Sequence, residues 1–341
     1  MTAIRHLTGE FDEAWNAFVT AHPAGTCCHL TEWGTIAQTL FGWSPHYLLA
    51  EADGNISGVL PLVHVRTLFG RSALVSTPFC VYGGALAVDE ITAERLEESA
   101  AALARELEVD YLELRQRDRS HERWTGSDLY CTFRKPLDPD PERNRAAIPR
   151  KQRAMIRKGE KTGLTASRGR DVDTFYDLFC AGMRNLGTPV YPRRLFSELE
   201  QRFGDRCDIL VVEHEGVPVS AVLSLYFRNE VLPYYAGSTT EARRLAAFDF
   251  MYWKLMEHAT LAGATVFDFG RSMRGTGSFA FKKNWGFEPQ ALEYQFDMIH
   301  GHALPVVDPD KFAYRWLAAA WRRLPLPLAN AIGPVVSRAL Y

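Results

Sequence analysis

Short apolar runs interrupted by an acidic residue and a glycine recur in the two halves of this chain. Residues 47–62 place two apolar stretches around Asp53-Gly54, and residues 209–225 do the same around Glu215-Gly216. Glycine readily adopts the positive φ that a tight turn between antiparallel strands requires. Both stretches therefore predict a β-hairpin.

Later features repeat in the same order, which indicates an internal duplication. The matching pairs are Val81-Tyr82-Gly83-Gly84 with Tyr235-Ala236-Gly237-Ser238, a helical pattern at 92–107 with one at 246–262, and a strand pattern at 111–115 with one at 267–271. A hairpin, a strand, a helix and a strand that recur roughly 155–160 residues apart predict two α/β domains with mixed sheets.

A turn-forming run, Asp138-Pro139-Asp140-Pro141, separates the two halves and is followed by a basic stretch. Pro149 and Gly163 suit the two ends of a helix over 149–162. Arg150, Arg153 and Arg157 then share one face of that helix. Two interpretations remain open. The face is either solvated or a phosphate clamp, and the partner of a clamp is a tRNA backbone, the phosphates of a nucleotide or CoA, or a lipid headgroup.

The strand predicted over 265–270 is almost wholly apolar, so we expect it to be central and covered on both faces. Asp268 is the exception, and a buried carboxylate needs a cation or a donor. Arg271, Lys282 and Lys283 are the nearest cations in sequence. Asp268 either accepts backbone N–H bonds from the next loop or acts as a general base or orienter for a substrate amine.

Several other polar side chains lie where predicted strands or turns end. Tyr235 and its counterpart Tyr82 precede glycines, where a phenol can protonate a leaving group or pack in the core with its hydroxyl satisfied. Asn185, Thr188 and Tyr191 flank the predicted turn at Gly187-Thr188-Pro189 and are candidates for substrate contact. No Ser-His-Asp or Cys-His pattern stands out, so we expect direct transfer without an acyl-enzyme.

Composition narrows the class of protein. A composition of 47% hydrophobic and 23% charged residues indicates a globular chain. Its net charge of −2 gives no overall attraction to nucleic acid or membrane, so either would have to bind at a local patch. Acidic residues interrupt the N-terminus and no apolar run reaches about 18 residues, so we expect a cytoplasmic protein. The six cysteines show no metal-ligand spacing, so we expect buried thiols and no metal site.

The C-terminal tail is amphipathic. Residues 310–324 have a helical pattern with Ala313, Trp316 and Leu317 among the apolar positions, and Leu328, Ile332, Val335 and Val336 form a second apolar patch after two prolines. We consider a helix docked on the domain core and a peripheral membrane contact through 310–341, on the inner face of the cytoplasmic membrane.

Five segments of the chain resemble FemAB-like proteins of the GNAT superfamily. They are Ile148–Gly163, Asn185–Val190, Tyr234–Ser238, Phe267–Ser272 and Gly275–Phe287. They are most similar to the branch found beside exopolysaccharide and exosortase genes, which overlaps a BioF2-like acetyltransferase grouping that includes enzymes of bacterial lipid N-acylation. The resemblance implies tandem GNAT-like domains and transfer of an acyl group to an amine.

The resemblance also implies a set of donors. GNAT enzymes grip the pyrophosphate of acyl-CoA with a glycine-containing loop at a helix start, and here that place reads Arg243-Arg244-Leu245-Ala246-Ala247-Phe248, without the glycines. Arg243 and Arg244 remain candidate phosphate contacts. We expect a thioester donor, acyl-CoA or acyl-carrier protein, and a lipid or envelope amine such as a sphingoid base or an amino-sugar. The alternatives are aminoacyl-tRNA-dependent transfer to a peptide, as in FemAB relatives, and a non-catalytic scaffold.

These expectations define a candidate site and a domain plan. We expect an N-terminal GNAT-like domain at 1–140, a basic helical linker at 141–165, a C-terminal GNAT-like domain at 166–302 and the tail at 303–341. The candidate catalytic residues are Asp268, Tyr235 and Arg271. The candidate substrate- and donor-binding residues are Tyr82, Arg150, Arg153, Arg157, Asn185, Thr188, Tyr191, Ser238, Arg243, Arg244, Ser272, Lys282 and Lys283.

Overall fold

A computed structural model describes residues 2–7, 12–67, 70–117, 124–300 and 312–339. The strands are β1 Ala3–His6, β2 Ser44–Pro45, β3 Leu48–Ala52, β4 Asn55–Leu60, β5 Val63–Arg66, β6 Ser72–Val75, β7 Leu86–Ala87, β8 Tyr111–Gln116, β9 Thr125–Ser127, β10 Tyr130–Pro136, β11 Thr165–Gly169, β12 Cys207–His214, β13 Val217–Phe227, β14 Glu230–Ser238, β15 Val266–Asp268, β16 Ser272–Met273, β17 Pro289–Ala291 and β18 Glu293–Met298. The helices are α1 Asp12–Ala21, α2 Glu32–Phe41, α3 Glu90–Glu106, α4 Pro141–Ala147, α5 Arg150–Lys161, α6 Val172–Leu186, α7 Arg193–Phe203, α8 Ala242–Leu245, α9 Ala247–Leu261, α10 Gly277–Asn284, α11 Phe312–Arg322 and α12 Leu326–Ala339.

The chain forms two compact units, each of which includes a piece that is distant in sequence. The first unit contains Met1–Tyr130, Ala291–Val306 and Arg338–Tyr341, and the second contains Cys131–Gln290 and Val307–Ser337. This division differs from boundaries at 140 and 302, because β10 pairs with β15 in the second unit while β18 pairs with β8 in the first. Helix α5 belongs to the second unit and is not a separate linker.

The two expected hairpins are confirmed. Asp53 (φ 51°) and Gly54 (φ 76°) connect β3 to β4, and Glu215 (φ 53°) and Gly216 (φ 76°) connect β12 to β13. Two consecutive residues with positive φ form the turn whose twist matches that of paired strands. The local sequence therefore dictates the start of each repeat.

The first unit contains two sheets where the second contains one. Its strand orders are β1-β3-β4-β7 and β2-β5-β6-β8-β18-β9, with β6 and β8 parallel. Pro61 lies between β4 and β5 and has no backbone N–H to donate, so the ladder stops there and the chain enters the other sheet. The equivalent strand of the second unit, β13, continues for 11 residues.

The second unit has one mixed sheet in the order β11-β12-β13-β14-β15-β10-β16, with β17 on β10. Strand β15 lies between β14 and β10, so its expected central position is confirmed. Helix α9 packs Trp253 into the core of this unit, together with Phe267 of β15 and Trp285, and all three are fully buried. This α/β architecture with mixed sheets agrees with the fold class predicted from the sequence.

Candidate functional site

A buried ion pair holds the end of β15. Asp268 is fully buried, and its carboxylate accepts a 2.8 Å hydrogen bond from Arg134 Nη1 and a 3.3 Å bond from Thr132 Oγ1. Arg134 lies directly opposite Asp268 in the β10–β15 pairing and also forms an ion pair with Glu230 of β14. One guanidinium therefore connects three neighbouring strands. Sequence reasoning missed Arg134, because its proximity to Asp268 depends on that long-range pairing.

Asp268 also anchors the loop that follows it. The backbone N–H of Gly270, whose φ is 65°, donates a 2.7 Å hydrogen bond to Asp268 Oδ1. An aspartate that accepts from the residue two positions later forms a turn that fixes the outgoing chain. Donors on a carboxylate stabilise its charged form, and the geometry favours this anchoring role over that of a general base.

Lys282 of α10 fixes the same loop from the other side. Its Nζ donates to the carbonyl oxygens of Phe269 at 2.7 Å, Gly270 at 2.9 Å and Arg271 at 3.0 Å. An ammonium has three N–H donors, and these three bonds use all of them. Burial lowers the pKa of Lys282 to about 8, against an opposing effect of the Asp268 charge. Lys282 therefore positions the loop, whereas its neighbour Lys283 is exposed.

The loop ends at a buried hydroxyl. Ser272 is 4% exposed, and its Oγ has no hydrogen-bond partner among the described residues. Its carbonyl accepts a weak bond from Cys131 Sγ at 3.8 Å. A buried hydroxyl without a partner is uncommon in folded proteins, so Ser272 Oγ is a candidate contact for a bound ligand.

Strands β14 and β15 pair only near their starts. The two strands are parallel over only two residue pairs, Glu230 with Val266 and Val231 with Phe267, although β14 continues to Ser238. The carboxyl ends of parallel strands meet at one edge of a sheet, where ligands bind in many α/β proteins. The rest of β14 and the loop at 269–272 therefore both lie on the carboxyl side of that pairing.

Tyr235, near the end of β14, lies in an aromatic cluster. Its ring is 5.3 Å from that of Phe196, 5.8 Å from that of Phe179 and 6.1 Å from that of Tyr191, all in edge-to-face arrangements. The structure thus brings together two of the predicted site tyrosines. Ser238, at the end of the strand, is half-buried and pairs with Ser220 of β13.

The predicted turn after α6 is covered by the tail. Asn185 and Thr188 are half-buried, and the intervening Gly187 ends the helix with a φ of 81°. A Cβ at Gly187 would collide with the backbone of Ala318 in α11, so only glycine fits there. The turn is therefore a docking point for α11, and its role in substrate contact stays a prediction.

The predicted basic helix forms, as α5, and presents its cations to solvent. Gln152, Ile156 and Gly159 face inward, and Gly159 lies against Phe250 of α9. The exposed cations are Arg150, Lys151, Arg157, Lys158 and Lys161. Arg153 is half-buried, and its Nε has no hydrogen-bond partner among the described residues.

The helix start that corresponds to a pyrophosphate loop is closed by small buried residues. Ala246 (φ 60°) caps α9 and Ala247 is its first residue, and they are 3% and 0% exposed, while Arg243 and Arg244 are exposed. Asp249, in the first turn of α9, accepts a 3.0 Å bond from Trp285 Nε1, and burial raises its pKa to about 6. Sequence reasoning missed Asp249, although an acidic residue in the first turn of a predicted helix can be read from the sequence.

The first unit has a small cavity of about 80 Å³ beside Tyr82, which is itself 1% exposed. His29 lines this cavity, and its Nε2 lies 3.1 Å from the carbonyl oxygen of Gly84, so Nε2 carries the proton. Its Nδ1 lies 2.8 Å from Thr26 Oγ1 and accepts from that hydroxyl. Burial lowers the pKa of His29 to about 4, so the ring is neutral at neutral pH.

Comparisons with known proteins agree with this architecture. Residues 142–283 match the family model of the acetyltransferase (GNAT) domain. A Lipid II:glycine glycyltransferase of Staphylococcus saprophyticus is 22% identical, with 84% of this chain and 91% of the relative covered. A crystal structure of FemX has a TM-score of 0.68 at 18% identity and covers 86% of this chain and 96% of its own.

A tandem GNAT protein from the clavulanic acid biosynthesis pathway has the same fold, with a TM-score of 0.55 at 12% identity, covering 89% of this chain and 100% of its own. The expected duplication of a GNAT-like domain is therefore confirmed at the level of the fold. Residues 142–283 thus match the GNAT domain, most of the chain is similar to a glycyltransferase, and these findings support both the predicted FemAB-like resemblance and an acyltransferase activity.

Proposed function

We propose that this protein transfers an aminoacyl group from aminoacyl-tRNA to the amine of a lipid-linked cell-envelope precursor, at the inner face of the cytoplasmic membrane. The relatives named Lipid II:glycine glycyltransferase support this choice, which the sequence reasoning ranked second to an acyl-CoA or acyl-carrier-protein donor. The proposal rests mainly on one structural observation, the start of α9.

That helix start is poorly suited to the pyrophosphate of CoA. Phosphate binding at a helix N-terminus needs accessible backbone N–H groups and a backbone that approaches closely, which glycines usually permit. Here Ala246 and Ala247 are buried, and Asp249 places a carboxylate in the first turn. At pH above about 6 this carboxylate is ionised and repels a second anion.

The basic face of α5 supplies what an RNA donor needs. Its exposed Arg and Lys side chains form a row that follows the outer face of the helix, with only Glu160 as an acidic residue. Glu160 is paired with Arg145 and leaves the row uncompensated. Cations arranged in this way bind the phosphate backbone of a nucleic acid without reading its sequence.

The chemistry requires little beyond positioning. The acceptor amine attacks the carbonyl carbon of the aminoacyl ester, a C–N bond forms and the C–O bond to the ribose breaks. The proton lost by the amine is transferred to the leaving ribose oxygen, which becomes a hydroxyl. In this proposal the loop at 269–272 borders the reacting carbonyl, with Arg271 and Ser272 as polar contacts and Tyr235 as a proton donor near the end of β14. Asp268 and Lys282 act through that loop as positioning residues.

A donor competition tests the proposal. The purified protein is incubated with a lipid-linked peptide acceptor and either radiolabelled aminoacyl-tRNA, acyl-CoA or acyl-carrier protein, and label in the acceptor is measured. We expect transfer from aminoacyl-tRNA alone, with an affinity for tRNA that falls as salt rises. Transfer from a thioester in place of aminoacyl-tRNA would contradict the proposal.

Charge reversal at α5 is the matched test of the tRNA surface. The double variant Arg150→Glu/Arg157→Glu should weaken tRNA binding by at least about tenfold at moderate salt, because each exchange replaces a phosphate contact with a repulsion. Arg95→Glu, on the exposed face of α3, serves as a control of equal charge change per site and should have no effect.

A further inference from the structure

Helix α12 is seated with its small side chains inward and its large ones outward. Leu328, Ile332 and Val335 occupy positions i, i+4 and i+7 and are 47%, 37% and 61% exposed. Ala329 and Gly333 form the opposite face and are buried, with Gly333 against Val190. A surface helix normally buries its large apolar stripe, so this orientation is the reverse of the usual one.

Helix α11 shows the same reversal. Trp316 and Leu317 are 63% and 61% exposed, while the neighbouring Ala318 is buried against Gly187. The inward faces of the two helices thus contact one short segment, 187–190. Each helix therefore turns its small side chains toward that segment and leaves its large apolar side chains exposed. We call this outward surface the tail face, defined by Trp316, Leu317, Leu328, Ile332 and Val335.

The tail face is unusual within this chain. Ten large apolar side chains are exposed among the described residues, and five of them belong to the tail face. A sixth, Leu186 at the end of α6, is 66% exposed and adjoins α11, because Arg322 Nη2 donates a 3.2 Å bond to its carbonyl. Exposed apolar side chains gathered in this way mark an interaction surface.

Charge identifies the kind of partner. Residues 311–341 contain five Lys and Arg residues and no Asp or Glu, in a chain whose net charge is −2. Arg322 and Arg323 are exposed at the end of α11, and Trp316 and Trp321 are the kind of residue that concentrates at the boundary between lipid and water. We propose that the tail face docks α11 and α12 flat on the surface of a bilayer that contains anionic lipids.

The lengths of the helices agree with lying in the interface. Helix α11 has 11 residues and α12 has 14, and no described helix is long and apolar enough to cross a membrane. An amphipathic helix with basic flanks inserts its apolar side chains among the acyl chains while its cations contact headgroup phosphates. A second copy of the chain fits the same face less well, because two surfaces of like charge repel.

A vesicle flotation assay with the full chain tests this inference without any donor or acceptor, so its outcome is independent of the proposed reaction. Vesicles of phosphatidylcholine are compared with vesicles that contain about 30 mol % phosphatidylglycerol. We expect the protein to float with the anionic vesicles, and Leu328→Gln/Ile332→Gln/Val335→Gln to reduce binding at least about tenfold through lost apolar insertion. These positions are exposed, so the variant should remain folded.

Two further variants sharpen the assay. Ile91→Gln/Val217→Gln changes exposed apolar residues elsewhere and should float like the unmodified chain. Arg323→Glu should weaken binding to anionic vesicles several-fold and leave the weak binding to neutral vesicles unchanged. The inference is overturned if the unmodified chain does not bind anionic vesicles, or if the triple variant binds as well. A dimer that dissociates in the triple variant, without vesicle binding, would assign the face to self-association.

Discussion

In both units a buried carboxylate is paired with an arginine and a nearby loop is held by a basic side chain, but the residues that do this differ. In the first, Glu113 and Arg115 of β8 form a buried ion pair, and Arg115 Nη1 also donates to the carbonyl oxygens of Thr77 at 3.1 Å and Cys80 at 2.7 Å. One guanidinium thus neutralises a carboxylate and holds the loop after β6. In the second unit these tasks are divided, because Arg134 pairs with Asp268 while Lys282 holds the loop carbonyls.

Because an arginine holds one loop and a lysine holds the other, the two attachments depend differently on pH. A guanidinium has five donors and stays charged at any physiological pH, so the loop of the first unit is attached permanently. An ammonium has three donors and titrates, and burial brings the pKa of Lys282 down to about 8. The loop that borders the candidate site is therefore the one whose attachment depends on pH.

Removing Arg134 should produce the largest effect. Arg134→Ala leaves Asp268 as a fully buried carboxylate without its guanidinium, which typically costs about 3–5 kcal/mol of unfolding free energy. Urea denaturation of the purified protein measures this loss. Arg143→Ala, which removes two solvent-exposed ion pairs, with Asp138 and Asp140, should change the free energy by less than about 0.5 kcal/mol. Similar losses of unfolding free energy in both variants would show that the buried Arg134–Asp268 pair contributes no more to stability than an exposed pair.

Replacing Lys282 should affect catalysis more than folding. In Lys282→Met the three loop carbonyls lose their donor and the loop at 269–272 shifts, and a displacement of about 1 Å at a reacting centre can lower kcat roughly 100-fold. Single-turnover transfer rates measure the effect. Lys283→Met, at the exposed neighbouring position, should retain the rate of the unmodified enzyme, and equal loss in both would refute a positioning role for Lys282.

The same lysine should give the second unit a pH-dependent stability that Arg115 cannot give the first. Its pKa is about 8 in the folded chain and 10.5 in the unfolded chain, so the unfolded chain binds more protons between these values. The contribution of Lys282 to stability therefore increases as pH rises through this window and is lost as pH falls through 8. The difference in unfolding free energy between the unmodified chain and Lys282→Met should change by about 1–2 kcal/mol between pH 7.5 and 9.5. A constant difference across that range would contradict the assignment.

Replacing Ser272 should produce the smallest effect, and it should change kcat/KM without changing the unfolding free energy. Because Ser272 Oγ has no partner among the described residues, Ser272→Ala should leave the unfolding free energy within about 0.5 kcal/mol. If a substrate atom hydrogen-bonds to Ser272 Oγ, the variant loses that bond and kcat/KM should fall roughly tenfold. Unchanged kinetics would remove Ser272 from the site.

The features that local sequence controls were the predictable ones. The turn residues Asp53-Gly54 and Glu215-Gly216 produce both hairpins, and the helix that starts after Pro149 forms as α5. The prediction of a strand at 81–84 was wrong, because that segment is a loop in the first unit. Thr77 and Phe79, before it, adopt positive φ, which no local propensity of these residues favours.

The features that depend on distant pairing were not predictable in this way. Asp268 was known from the sequence to need a partner, but Arg134 is 134 residues away and becomes adjacent only when β10 joins β15. The closed start of α9 likewise depends on Trp285, which reaches Asp249 from another helix end. Pattern reasoning therefore located the candidate loop, with Asp268 and Lys282 that hold it, and missed Arg134 and Asp249.

Strand β18, late in the sequence, completes a sheet of the first unit, which affects the order in which the two units can fold during synthesis. The central strand β8 of the first unit receives its neighbour β18 only after residue 298 has left the ribosome, so the first unit remains incomplete while nearly the whole second unit is made. Until then β8 presents an unpaired edge that can pair with other chains. A chain truncated near residue 140 should therefore aggregate when expressed alone, and addition of a peptide with the sequence 291–300 should restore solubility if the edge is the cause.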